Sequence, residues 1–165
     1  QDASFANFES PQARSVLISR DSLRLYAVNT PASMVSIYSL DNPRRPQLLK
    51  EVSVGLEPVS VAENSAGELW VVNHLSDSIS VVNTVLGTVE ATIQLGDRPG
   101  DIVFAGNPRR AFVTSMTERT VAVIDSTTRK IVKKIPIAGN DPRTLLASED
   151  GSTVWVAISP NDYST

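Results

Sequence analysis

The sequence contains no cysteine, which excludes disulfides, thiolate metal sites, haem attachment through a Cys-x-x-Cys-His motif and a cysteine nucleophile within this chain. It contains a single histidine, His74, so any zinc site or Ser-His-Asp triad would depend on that one imidazole. Neither a Gly-x-Ser-x-Gly elbow nor a phosphate-binding Gly-x-x-x-x-Gly-Lys loop occurs. These absences favour a non-catalytic protein, although they leave the question of enzyme activity open.

Long apolar runs and clusters of positive charge are missing as well. No stretch approaches the roughly 18 apolar residues of a membrane-spanning helix, so we expect no membrane span. The formal net charge is −3, and no basic stripe with interleaved aromatic residues is visible, which argues against nucleic acid as a partner. Aromatic residues make up 5% of the chain, hydrophobic residues 41% and charged residues 20%, a composition typical of a globular protein.

What the sequence does contain is a repeat of about 42 residues, a period typical of solenoids and propellers. Each of four similar apolar segments carries one aromatic residue in the same position, namely Tyr26, Trp70, Phe112 and Trp155. Upstream of the last three segments lies a proline, namely Pro58, Pro99 and Pro142. The first unit departs from this pattern because Arg14 stands where the other units have proline.

Each unit is predicted to form four short antiparallel strands, because apolar runs rich in Val, Ile and Thr alternate with turn residues. In the second unit we expect strands at about 58–63, 68–74, 78–84 and 89–95. Four such strands per unit of about 40–45 residues form one blade of a β-propeller. The sequence therefore predicts an all-β propeller with blades at 11–55, 56–96 and 97–139 and a partial blade at 140–165. The aromatic residue of each unit is expected to pack between blades.

Two stretches resemble a known repeat. Residues 21–29 (DSLRLYAVN) and 123–131 (VIDSTTRKI) are similar to the YVTN-type propeller repeat of exported and surface-layer proteins of bacteria and archaea. The resemblance implies a ring of the seven-bladed type and a secreted, periplasmic or cell-surface location. The chain begins Gln1-Asp2-Ala3 without methionine, and we expect this to be the mature N-terminus left by removal of a signal peptide. We further expect Asp125 to accept hydrogen bonds within its own turn.

The number of units predicts an open ring. From residue 11 onward the chain holds about 3.7 units, whereas propellers close with about four to eight blades. We therefore expect the rest of a propeller, or another chain, to complete the ring. Residues 1–10 are a candidate ring-closing strand, anchored by Phe5 and Phe8.

Polar residues in two sets of loops are the candidate site. Propeller ligands usually bind where the loops entering the first strand meet the loops joining the second and third strands. The residues predicted for this ligand face are Glu57, Asn73, His74, Arg98, Asp101, Arg119 and Arg143. Weak candidates for a metal site are His74, Asp77, Asp101 and Asp141. The Arg109-Arg110 pair is interpreted as solvated turn charges rather than as a phosphate site.

Three functional hypotheses remain. The first is a non-catalytic propeller module that binds a protein partner through its loop face in an exported bacterial protein, with no cofactor in this chain. The second is the propeller portion of a larger redox protein with a c-type haem or a metal elsewhere, because the opening of the chain resembles that of long exported bacterial proteins. The third is a lactonase-like hydrolase with a metal at the mouth of the channel.

Overall fold

The structure is a computed structural model that describes residues 12–96 and 98–159. These residues form fourteen β-strands and no helix. Hence none of the described residues belongs to a helix long and apolar enough to cross a membrane. The predicted N-terminal strand at residues 1–10, with Phe5 and Phe8, lies outside the described residues.

The strands form four sheets in chain order, and each strand pairs antiparallel with the next within its sheet. The first sheet contains β1 (Val16–Ile18), β2 (Arg24–Asn29), β3 (Met34–Ser39) and β4 (Gln47–Ser53). The second contains β5 (Pro58–Ser65), β6 (Glu68–Asn73), β7 (Ser78–Asn83) and β8 (Thr88–Gln94). The third contains β9 (Pro99–Ala105), β10 (Arg110–Ser115), β11 (Thr120–Asp125) and β12 (Ile131–Pro136). The fourth contains β13 (Asn140–Ala147) and β14 (Val154–Ser159). The predicted all-β architecture of four-stranded antiparallel blades is confirmed.

The core lies between neighbouring sheets rather than within one sheet. One apolar cluster joins the first and second sheets, a second joins the second and third, and a third joins the third and fourth. A sheet covered on both faces needs continuous apolar strands instead of alternating ones, and β6 is buried along nearly its whole length. The stacking of the sheets therefore buries the apolar residues that a single sheet would leave exposed.

The repeated aromatic residue points from each sheet towards the following one. Tyr26 packs against residues of the second sheet, and Trp70 against residues of the third. Trp70 is fully buried and meets Phe104 edge-to-face, with 5.2 Å between ring centroids. Trp155, expected in a core, is instead 53% exposed. The repeat places it on the face of the fourth sheet that has no further sheet beside it in the described chain.

The first unit has Arg14 where the other units have proline, and this residue contacts the second sheet. Arg14 forms a parallel bridge with Ser60 of β5, and the backbone N–H of Val61 donates to the Arg14 carbonyl at 3.1 Å. A proline at this position would lack the N–H that Arg14 donates to the Val59 carbonyl. The chain therefore contacts the inner edge of the second sheet before it enters β1.

Candidate functional site

Two sets of loops lie at one end of the sheets and form the predicted loop face. At the start of the first strand, the residue before each proline of the repeat has a positive φ, with values of 50°, 53° and 46° at Glu57, Arg98 and Asp141. Non-glycine residues rarely adopt this left-handed conformation, which costs backbone energy. The same conformation recurs in the turns between second and third strands, at Ser33, Asp77 and Arg119. Both sets of loops thus keep one backbone shape from blade to blade.

This backbone shape has a structural purpose in the second set. The carbonyl group of each left-handed residue accepts a hydrogen bond from the first residue after the fourth strand of the same sheet. The donors are the N–H groups of Val54, Leu95 and Ile137, at 2.9–3.0 Å. The turn of each sheet is thereby tied to the loop that leaves it, so that the side chains on the loop face have fixed starting points.

His74 is buried and joins two sheets. Its Nδ1 lies 2.9 Å from the carbonyl oxygen of Pro99, so Nδ1 carries the proton and donates. Its backbone N–H donates to the Glu57 carbonyl at 2.8 Å. The neighbouring Asn73 is fully buried, and its amide donates to Ser78 and Ser80 while its Oδ1 has no partner. Both side chains are thus held in place by the protein itself.

The predicted charged residues of the loop face fall into separate contacts. The Asp77 carboxylate accepts a hydrogen bond from the Arg98 backbone N–H at 2.9 Å. Arg143 forms an ion pair with Asp141 at 3.5 Å, and both side chains are about half exposed. An exposed pair of this kind contributes about 0–1 kcal/mol. Glu57 and Arg119 also have partners.

Asp101, predicted for the ligand face, is completely buried between sheets. Its Oδ1 accepts a hydrogen bond from the Ser60 hydroxyl at 2.6 Å, and its Oδ2 accepts one from the Leu145 N–H at 2.8 Å. Arg14 approaches Oδ2 at 3.8 Å and donates to the carbonyl groups of Ile102 and Leu145. Asp101 therefore links the first strands of three successive sheets, and its carboxylate points into the structure rather than to a loop-face ligand.

The four weak metal candidates were His74, Asp77, Asp101 and Asp141. Among residues 12–96 and 98–159, no three histidine or carboxylate side chains are grouped closely enough to hold a metal ion. Nδ1 of His74 and both oxygens of Asp101 already have protein partners. The metal site remains a prediction from the sequence, without a ligand set in the described part of the chain.

Two exposed leucines on the loop face escaped the sequence analysis. Leu56 precedes the second sheet, and Leu75 lies in the turn between its second and third strands; they are 53% and 60% exposed. The Leu75 N–H donates to the Leu56 carbonyl at 3.2 Å, which holds the two residues side by side. A lone leucine in a loop carries no signal in the sequence, and only the fold brings Leu56 and Leu75 together.

A second feature lies at the opposite end of the sheets. A cleft of about 340 Å³ is lined by residues from all four sheets and the turns between first and second strands. We call it the arginine cleft, because its charged lining consists of Arg14, Arg20, Arg109 and Glu63. The interpretation of Arg109 as a solvated turn charge is wrong: its guanidinium stacks 5.0 Å from the centre of the Phe104 ring, and its Nε is buried. Arg110 is exposed, as expected.

Lowered carboxyl pKa values occur in turns. Hydrogen bonds from Ser148 and Ser152 lower the pKa of Asp150 to about 2. A bond from Ser19 acts in the same way on the pKa of Asp21. Bonds within its own turn, from the Thr128 N–H first, lower the pKa of Asp125, and the expected role of Asp125 is confirmed.

Two further pKa shifts occur between sheets. Burial would raise the pKa of Glu68, but hydrogen bonds from Trp70, Asn64 and Arg129 outweigh it and lower that pKa. Burial raises the pKa of the Tyr26 hydroxyl group. Both groups belong to contacts between strands and sheets, so neither shift indicates a catalytic group on the loop face.

Comparison with solved structures identifies the architecture. Hydrazine synthase of Kuenenia stuttgartiensis superimposes with a TM-score of 0.82 at 24% identity, over 98% of this chain and 46% of that chain. A candidate 6-phosphogluconolactonase of Bacteroides uniformis gives 0.71 at 20% identity, over 86% and 48%. The WD40 β-propeller domain of Doa1 gives 0.70 at 14% identity, over 88% and 46%. The chain has the fold of a partial β-propeller.

These likenesses concern the fold alone, since all three identities lie below 25%. The chain spans about half the length of the propeller chains that it resembles. No protein-family model and no curated protein matches the sequence. Propellers host many unrelated activities, so function has to be argued from the residues of this chain.

Proposed function

We propose that this chain is a non-catalytic propeller module that binds a protein partner through its loop face, as part of an exported bacterial protein. The observation that carries the proposal is the pair of exposed leucines, Leu56 and Leu75, held side by side by a backbone hydrogen bond. The proposed exported location rests on the sequence resemblance to the YVTN-type repeat and is tested by fractionating the source cells.

The surroundings of this pair are typical of a protein interface. Apolar residues at the centre of an interface contribute most of the binding energy, and a polar rim surrounds them. The charged residues Glu57, Asp77 and Arg98 lie in the same loops, and the fixed turn backbone limits the entropy lost on binding. His74 and Asp101 were the sequence's candidates for a metal ligand or a ligand-binding group. Both are buried, which supports a structural role for them.

The experiment compares two double variants of the purified protein. A partner is first identified by cross-linking in the exported fraction of the source cells, and its binding is then measured with purified components. Leu56→Ser/Leu75→Ser is expected to weaken binding at least about tenfold, as the loss of two buried leucines should. Val85→Ser/Leu86→Ser removes two apolar residues that are more exposed than this pair from the turn between β7 and β8 and serves as the control. Equal effects of both pairs would contradict the proposal.

The rest of a propeller is proposed to cover the two end sheets. Val16 on the first sheet and Trp155 on the fourth are large exposed apolar residues outside the arginine cleft. Uncovered apolar sheet faces of this kind favour association. The proposal is supported by the half-length match to larger propeller chains. Protection of the Trp155 indole from solvent in the natural full protein, measured by fluorescence quenching, is the expected result; a fully accessible indole would contradict it.

A second candidate function is the propeller portion of a larger redox protein with haem or metal outside this chain. The observation that favours it is the likeness to hydrazine synthase, which extends over 98% of this chain. Haem absorbance or bound iron or copper in the natural full protein would support it. The lactonase-like alternative is favoured only by the Bacteroides uniformis structure; a lactone hydrolysis rate unchanged by His74→Ala would remove His74 from it.

A further inference from the structure

The arginine cleft has more positive than negative charge. Arg14, Arg20 and Arg109 line it, and Glu63 supplies the only carboxylate among its lining residues. The Glu63 carboxylate accepts hydrogen bonds from the Arg20 backbone N–H at 2.9 Å and from the Tyr26 hydroxyl. Within the described ranges, neither the Arg20 nor the Arg109 guanidinium forms an ion pair with a carboxylate. Within those ranges, the guanidinium groups of the exposed Arg20 and of the partly buried Arg109 therefore have no carboxylate partner.

These two guanidinium groups are also held together. Arg20 comes from the turn between β1 and β2, and Arg109 from the turn between β9 and β10. Each donates from a terminal nitrogen to the same acceptor, the Glu63 carbonyl oxygen, at 3.3 Å. Like charges brought so close repel each other, and an anion between them would remove the repulsion.

Arg109 shows an unfilled hydrogen-bonding capacity. Its Nε is buried and has no partner, which is rare for a polar atom and more costly on a charged group. The stacking of its guanidinium on Phe104 fixes the plane of its donors. Planar guanidinium groups with free donors bind carboxylate and phosphate oxygens in pairs.

Arg14 has a different role in the cleft. Its terminal nitrogens donate to the Ile102 and Leu145 carbonyl groups at 3.2 and 3.1 Å, and it lies 3.8 Å from the Asp101 carboxylate. The Arg14 guanidinium is therefore already bound to groups of the protein and holds neighbouring sheets together. The anion would rest on Arg20 and Arg109.

We propose that the arginine cleft binds a small organic anion, a carboxylate or phosphate group attached to an apolar body. Arg20 and Arg109 bind the anionic head, and the apolar body packs on the remaining walls, which are formed by Leu17, Ile18, Val103, Phe104 and Leu146. A volume of about 340 Å³ lies within the usual range of small-molecule sites. The cleft lies at the opposite end of the sheets from the loop face, so this proposal stands apart from the proposed protein-binding function.

The test is calorimetric titration of the purified protein with four probes: phenyl phosphate, benzoate, inorganic phosphate and benzamidine. Both ring-bearing anions share an apolar body and differ in the head group, so the tighter of the two identifies the head. We expect saturable binding of at least one of them, weaker binding of inorganic phosphate, and none of benzamidine, which combines the ring with a positive charge. Binding is expected to weaken as sodium chloride is raised.

Variants locate the binding. Arg20→Gln/Arg109→Gln is expected to weaken binding of the tighter probe at least about tenfold, whereas Arg110→Gln, an exposed neighbour outside the cleft, leaves it unchanged. Arg20→Lys/Arg109→Lys keeps both charges but loses the planar donors, so we expect an intermediate loss; this pair decides the matter if the glutamine pair does not fold. No saturable binding, equal binding of inorganic phosphate and both ring-bearing anions, or an equal loss with Arg110→Gln would overturn the proposal.

Discussion

The Asp101 carboxylate accepts a hydrogen bond from the Ser60 hydroxyl at 2.6 Å, across the boundary between the third and second sheets. Its other oxygen accepts from the Leu145 N–H of the fourth sheet. In the described part of the chain, strands of different sheets do not pair through their backbones, and the Asp101 side chain instead joins the third sheet to the second and the fourth. It is a buried polar contact that joins the first strands of the second, third and fourth sheets.

Asp101→Ala is expected to lower the free energy of unfolding by about 3 kcal/mol or more, because the Ser60 hydroxyl and the N–H groups of Leu145 and Ile102 lose a buried acceptor. Urea denaturation measures the change. Asp41→Ala, at an exposed turn residue, is the matched control and should stay within about 0.5 kcal/mol. Asp101→Asn places an N–H₂ group against one of the donors and should fall between the two; wild-type stability of both Asp101 variants would rule out the linking role.

The repeated aromatic position offers a comparison of one residue type in two environments. Trp70 is fully buried against Phe104, whereas Trp155 occupies the equivalent position and is 53% exposed. In the purified 165-residue chain by itself, Trp70→Ala should lower the free energy of unfolding by about 3–5 kcal/mol, and Trp155→Ala by less than about 1 kcal/mol. Chemical denaturation followed by circular dichroism gives both values. Equal losses would mean that Trp155 is also packed in a core.

The sequence was sufficient for the architecture because the blade is a local unit. Strand order within a blade follows chain order, and the 42-residue period repeats the same strands and turns, so the β6 position could be predicted from its own apolar run. Burial of Trp155 could not be predicted in the same way, because it depends on whether a neighbouring sheet covers that face. The parallel contact of Arg14 with Ser60 could not be predicted either, because it joins residues of different units.

The candidate site was harder to predict, because its residues meet across units. Arg20 and Arg109 lie in equivalent turns of the first and third sheets but far apart in the chain, and only the packing of both sheets against the second brings them to the Glu63 carbonyl. The carboxylate of Asp101 was expected to face a ligand because it lies near a loop. The fourth sheet packs over it instead, and this contact between units could not be predicted from the sequence. The left-handed backbone conformation of Arg98 could not be predicted, because arginine has no preference for that conformation.

The turn in the fourth sheet provides a pH-dependent contact. Hydrogen bonds, that from Ser148 first, lower the pKa of Asp150 from its ordinary value of 3.8 to about 2. A carboxyl group whose pKa falls on folding stabilises the fold above its unfolded value, and this contribution is lost as the pH falls from about 3.8 towards 2. Ser148→Ala should raise the pKa of Asp150, while that of Asp21, in the equivalent turn of the first sheet, stays low. Carboxyl resonances followed by NMR titration measure both; an unchanged pKa of Asp150 would show that Ser148 does not lower it.

The close approach of Gly55 to Asn73 gives a pairwise test of packing on the loop face. A Cβ on Gly55 would lie 2.6 Å from Cγ of Asn73, whose amide is fixed by bonds to Ser78 and Ser80. Gly55→Ala should therefore destabilise the protein by about 1–3 kcal/mol through overpacking. In an Asn73→Ala background the same substitution should cost far less, because the obstructing side chain is gone, and a double-mutant cycle measures the difference. Simple additivity of the two substitutions would show that the cost comes from the backbone at Gly55 and not from Asn73.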